Sequence, residues 1–141
     1  MHDHTWDLFS YVACGALENV EIKVAEVADA ASAMSPVFRI FNIRGDGAMD
    51  RVTPTETLVT VEKERKERYS ARSIYKMPAD VVHRTEASSE PTVTLVLARR
   101  TGREFERALG PVDLPGYTTR REAFSCDLFT AGLRDALTQQ A

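Results

Sequence analysis

The chain has 141 residues and a net charge of −3, with 43% hydrophobic and 28% charged residues. That is one domain's worth of chain with an ordinary soluble composition. Lys and Arg are scattered, and no apolar run approaches the roughly 18 residues of a membrane span, so neither nucleic acid nor a membrane is an expected partner. The opening Met-His-Asp-His does not read as a signal peptide, and Cys14 and Cys126 make no disulfide framework. A cytoplasmic location is expected.

Hydrophobic periodicity predicts strands for most of the first hundred residues. Residues 2–14 place His2, His4, Trp6, Leu8, Ser10, Val12 and Cys14 on one face, with apolar residues on the other face too. Such a strand is covered on both sides. Gly15 ends it. Residues 19–28 alternate Val20, Ile22 and Val24 with polar neighbours, and 37–44 (VFRIFNIR) form a third strand, closed by Gly45-Asp46-Gly47. Residues 57–61 begin a fourth, and the charge-rich 62–68 (EKERKER) read as a solvated hairpin turn. Strands at 69–77, 81–85 and 92–97 complete the series. Short strands with turn signals between them and no interposed helix predict an all-β antiparallel sandwich or barrel. The tail differs. Residues 110–116 (GPVDLPG) read as a loop, and a helix is expected over about 126–139, capped by Ser125, with Asp127 in its first turn. Leu128, Leu133, Ala136 and Leu137 would share its apolar face, and Gly132 weakens it by about 1 kcal/mol relative to Ala.

Three histidines are the most informative residues. At strand spacing, His2 and His4 project from the same face about 7 Å apart along the chain. Two imidazoles so placed can converge on one cation, because metal–nitrogen bonds are about 2 Å long. His83 follows Pro78 by five residues and opens a later strand.

The order of residues around these histidines resembles the cupin superfamily. Its first motif is His-x-His, three or four residues, usually Glu, six residues, then Gly. The match here is His2-Asp3-His4, then Thr5, Trp6 and Asp7, then Leu8, and six residues on to Gly15. Its second motif, Pro-x-Gly-x-x-His, is matched by Pro78, Ala79, Asp80, Val81, Val82 and His83, with Asp80 at the glycine position. All three histidines fall on the family's histidine-ligand positions. Leu8 stands where the family usually has a carboxylate, leaving a three-imidazole set like that of the cysteine dioxygenase-like branch. His83-Arg84-Thr85-Glu86, followed by Glu90 to Leu95, looks like that branch's second ligand segment. The likeness covers roughly residues 2–98 and reaches the metal-binding positions but not the substrate-binding ones. The branch's active-site Ser-x-His-x-Tyr falls near Thr94, Val96 and Ala98.

The resemblance implies a cupin-type double-stranded β-helix barrel over residues 1–100, short at its N-terminal side, with a C-terminal extension over 101–141. A complete barrel of this type has strands ahead of the first motif. The expectation is therefore an upstream truncation or an open barrel whose edge a partner chain covers, and a homodimer. His2, near the start, is expected at a frayed end and as the weakest ligand. The resemblance also implies a divalent metal held by His2, His4 and His83, with Fe(II) first and Zn, Mn or Ni also open, since imidazole suits several of these. Three imidazoles on an octahedral ion leave three positions free. The function implied is that of a mononuclear non-haem Fe(II) dioxygenase acting on a small anionic substrate, thiols included. The alternative is a non-catalytic cupin that binds a small ligand or serves as a scaffold. Trp6, Ser10 and Tyr75 are the pocket candidates. The pairs Arg99-Arg100 and Arg120-Arg121 read either as surface solubility or as contacts for an anion.

Overall fold

A computed structural model describes residues 1–45, 47–122 and 125–138. It is mostly β, with strands β1 (Trp6–Cys14), β2 (Ala16–Val27), β3 (Val37–Gly45), β4 (Met49–Ser70), β5 (Ile74–Met77), β6 (His83–Ala87), β7 (Val93–Arg100), β8 (Glu106–Gly110) and β9 (Tyr117–Arg120). One helix, α1 (Cys126–Thr138), ends the described chain. The strands form two antiparallel sheets. One has the order β5-β1-β7; the other has the order β6-β2-β4-β3-β8, with β9 also paired to β4.

The expected all-β class is what the structure has, but its described strands close no barrel. The edge strands of the larger sheet, β6 and β8, are instead linked through the N-terminal segment. His2 makes one antiparallel bridge to His83 and one to Ala108. The sheet is drawn round at that residue rather than sealed by a continuous ladder.

The charged stretch 62–68 is the clearest departure from the sequence reading. It is no turn but the second half of β4, paired with β2 from Lys23↔Lys63 to Glu18↔Arg68. The mixed signs serve lateral pairing: Lys66 meets Glu18 at 3.2 Å, Lys23 meets Glu62 at 2.6 Å and Arg84 meets Glu64 at 2.8 Å. Opposite charges across a ladder stabilise it modestly, and the stretch holds none of the Gly, Pro, Asn or Asp that turns favour. The reversal comes later, where Arg72 takes φ 70 and Ser73 N–H donates to Ser70 O at 3.1 Å. Strands β8 and β9 were likewise not foreseen; both join the larger sheet.

Helix α1 matches the expected span, although Gln139 lies outside the described residues, as do the side chains of Leu128 and Leu137. Ala136 is buried within it, whereas Phe129 is exposed. The main apolar cluster joins the sheets: Val12 of β1 and Tyr75 of β5 pack with Leu17 of β2, and Tyr69 lies against them. Burying a side chain such as Val12 or Leu17 contributes about 2 kcal/mol. On the other face of the three-stranded sheet, Phe9, Tyr11, Ile74, Leu95 and Leu97 are exposed. They are register neighbours, since Tyr11 pairs with both Ile74 and Leu95 and Phe9 with Leu97. Contiguous apolar surface of this kind is uncommon on a monomer.

Candidate metal centre

Residues 1–4 are held from both sides by backbone hydrogen bonds. On one side His2 N–H donates to His83 O at 3.0 Å, and His83 N–H returns a bond to His2 O at 2.8 Å. On the other, Asp3 N–H donates to Arg107 O at 2.8 Å and Leu109 N–H to Met1 O at 3.0 Å. Asp80 N–H adds a bond to His4 O at 3.2 Å. His2 is therefore not at a frayed end, contrary to the expectation from its position in the sequence.

Alternation sends the side chain of Asp3 away from those of His2 and His4. Asp3 is fully buried there. Arg103 grips its carboxylate with two nitrogens at 2.6 and 3.0 Å, and Arg107 donates its Nε at 2.7 Å and its backbone N–H at 2.8 Å. Burial alone would raise the pKa of Asp3, but these hydrogen bonds outweigh it and hold the carboxyl below its ordinary range. Arg103 also pairs with Asp80 at 2.5 Å. This ion network anchors the segment that carries two of the three histidines.

On the opposite face the imidazoles meet. Ring centroids are 4.7 Å apart for His2–His4, 4.7 Å for His2–His83 and 5.1 Å for His4–His83. One ligand nitrogen from each ring lies within 4.8 Å of the others. Nitrogens sharing one ion at about 2.0–2.1 Å sit closer than this, so the rings must draw inward to share one. Three histidines from two segments remote in sequence are thus within reach of a single cation.

Local chemistry favours ligation. The Nδ1 of His83 lies 3.0 Å from Val81 O. A carbonyl only accepts, so Nδ1 carries the proton and Nε2 is left with a free lone pair. His4 Nδ1 is buried with no hydrogen-bond partner. The Oε1 of Glu106 lies 3.9 Å away. Burial, helped by the neighbouring His2 and His83 rings and opposed by Asp3, lowers the pKa of His4 to about 4. His2 is lowered by burial, by His83 and by the N-terminal amine. Both rings are therefore neutral near pH 7, the form that binds metal.

This shift has a measurable consequence. His4 binds a proton more readily in the unfolded chain (pKa 6.5) than in the folded one (about 4). Stability contributed by its neutral form is thus present above pH 6.5 and is lost as pH falls through that window. Chemical unfolding of metal-free protein should show a loss of up to about 3 kcal/mol between pH 7 and 4 from this group. His4→Gln should flatten that slope; an unchanged slope would contradict the assignment.

Of the pocket candidates, Trp6 stacks on His4 with centroids 4.8 Å apart and an interplanar angle of 16°. It also lines a cavity of about 520 Å³ that Glu106 borders. Ser10 is buried, and its Oγ has no partner among the described residues. Tyr75 stacks on Tyr69 at 4.5 Å within the apolar cluster. The described ring contacts of the histidines run to one another and to Trp6.

Sequence reasoning missed Asp3, Arg103, Arg107 and Glu106. For Asp3 a signal existed: a strand covered on both faces must pair any acid it carries with a cation. Nothing in the sequence says which arginines answer, and Glu106 lies over 100 residues from His4, beyond any local pattern. Burial raises the pKa of Glu106, and Asp3 and Asp50 push the same way against Arg121 and Arg103. Polar groups beside a metal-binding imidazole typically tune affinity 10–100-fold. Glu106→Gln is expected to weaken Zn(II) binding about tenfold in calorimetric titration, a value at the low end of that range; unaltered affinity would remove Glu106 from the site.

No family model, curated protein or solved structure matches this chain.

Proposed function

We propose that this chain is a metal-binding protein of the cupin type, holding Fe(II) at His2, His4 and His83 and oxidising a small anionic substrate, thiols included, with dioxygen. The observation that carries this reading is the convergence of the chain's three imidazoles, all within 4.8 Å through their ligand atoms. Three neutral ligands leave the ion's positive charge uncompensated, which favours an anion in the open positions. A bound ion supplies those open positions, where substrate and dioxygen can meet.

The chain's own residues do the rest. The bond to Val81 O orients the His83 ring, and backbone bonds to His83 and Arg107 hold the segment that carries His2 and His4. Trp6 covers one face of His4 and restricts water on that side. Glu106 places a carboxylate oxygen 3.9 Å from His4 Nδ1, a negative charge beside the ligand set though beyond hydrogen-bond distance.

Protein loaded with Fe(II) under nitrogen should retain close to one iron per chain and consume oxygen when given a small thiol from a panel. Iron retained without oxygen uptake across the panel would favour the alternative, a non-catalytic ligand-binding or scaffold protein. In that case ligand binding would survive both a chelator and His83→Ala.

A further inference from the structure

The three-stranded sheet carries apolar residues on both faces, and the fold covers only one of them. The inner face turns Val12 and Tyr75 into the apolar cluster. The outer face carries Phe9 and Tyr11 of β1, Ile74 of β5, and Leu95 and Leu97 of β7, all between 37% and 77% exposed. Strand β1 is the central strand of this sheet. A strand that is apolar on two sides is one that is normally covered on two sides, yet here the outer side meets solvent.

The ladder makes these five residues one patch, because directly opposed residues project to the same side of a sheet. Tyr11 stands between Ile74 and Leu95, and Phe9 between Lys76 and Leu97. In the next row Asp7 is opposite Arg99, and their side chains meet at 2.6 Å. The ammonium of Lys76 lies over the Phe9 ring, 5.0 Å from its centroid. The charges in these rows are thus engaged at the rim of the patch itself. The face has neither a run of cations for a phosphate-bearing partner nor a set of acids for a basic one. A near-neutral apolar face is complementary to a second copy of itself, which is what a two-fold dimer requires.

Area points the same way. Taking about 200 Å² for a large residue fully exposed, the five present roughly 550 Å². Two copies packed face to face would remove roughly 1,100 Å² from water, above the ~1,000 Å² expected of a specific interface and above most crystal-packing contacts. We propose that the outer face of β5-β1-β7 is the interface of a homodimer, with Phe9, Tyr11 and Leu97 at its centre. Aromatic side chains are enriched in the cores of such interfaces. The inference is independent of the metal centre, whose neighbour Trp6 projects from the opposite side of β1.

The test is sedimentation equilibrium of the full chain from about 1 to 100 µM, since a dimer's population depends on protomer concentration. The wild type should approach twice the 15.7 kDa of one chain. Leu97→Glu places an unpaired carboxylate in the shared face of both copies and should weaken association at least about 100-fold. Leu97 is the most exposed of the five, so this change leaves the protomer folded, which an unaltered far-UV circular dichroism spectrum checks. Ile74→Glu, on the other edge strand, should act alike and carries the test if the first variant does not fold. Phe129→Glu, also exposed but on α1, should leave the dimer unchanged. A wild type that stays monomeric at the highest concentration overturns the proposal and leaves the face to a different partner. A dimer of wild-type strength in both L97E and I74E, or one that F129E alone dissociates, overturns it too, because the interface then lies elsewhere.

Discussion

Zn(II) should bind the His83→Ala protein at least about 100-fold more weakly than the wild type in competition with a chromophoric chelator, a loss of about 2.7 kcal/mol or more. The expectation follows from how His83 is held. Its Nδ1 is directed at Val81 O, 3.0 Å away, which leaves Nε2 as the nitrogen oriented toward a metal. Nothing else described at that position can replace it, because the remaining ligands are two rings on one short segment. Losing a polar neighbour of a ligand already costs 10–100-fold in many metal sites, and losing a ligand costs more. His4→Ala should act alike, because His4 is the ring that contacts both other histidines and Trp6. Wild-type affinity in either variant would mean that the clustered rings do not share an ion.

The second large effect is expected away from the metal, at Asp3. Asp3→Ala removes a fully buried carboxylate on which Arg103 and Arg107 converge. Breaking a buried ion pair by deleting one partner typically costs 3–5 kcal/mol, because the other charge is left without compensation. Here the arginine side chains are 25% and 37% exposed and keep contacts to Asp80, so they can rehydrate in part. A loss of about 3 kcal/mol in urea unfolding, the low end of that range, is expected. Asp3→Asn keeps the shape and several hydrogen bonds and should cost less. Because Asp3 anchors the chain between His2 and His4, both variants should also weaken metal binding even where the protein stays folded. An Asp3→Ala protein as stable as the wild type would show that residues 1–4 are fixed by backbone bonds alone.

The sequence revealed the histidine site more fully than it revealed the fold around it. Period-two alternation placed His2 and His4 on one face, and their rings are in fact 4.7 Å apart. His83 came from its spacing after Pro78, and its ring lies 4.7 and 5.1 Å from the other two. Alternation also located most of β1, β2, β3 and β7, because a half-buried strand needs an apolar residue at every second position. It failed at 62–68, where neither face of β4 is apolar and ladder pairing rests on charges supplied by β2 and β6. Those partners are invisible to a local reading. Likewise β8, with Glu106, Arg107 and Leu109, looks locally like any polar stretch; its role comes from lying beside β3 and the N-terminal segment.

Whether the three imidazoles share one ion can be read from anomalous diffraction by crystals of the Co(II)-loaded protein. One strong cobalt peak is expected at about 2.1 Å from a ring nitrogen of each of His2, His4 and His83. A peak bound to two or fewer of these rings, or none beside them, would contradict it.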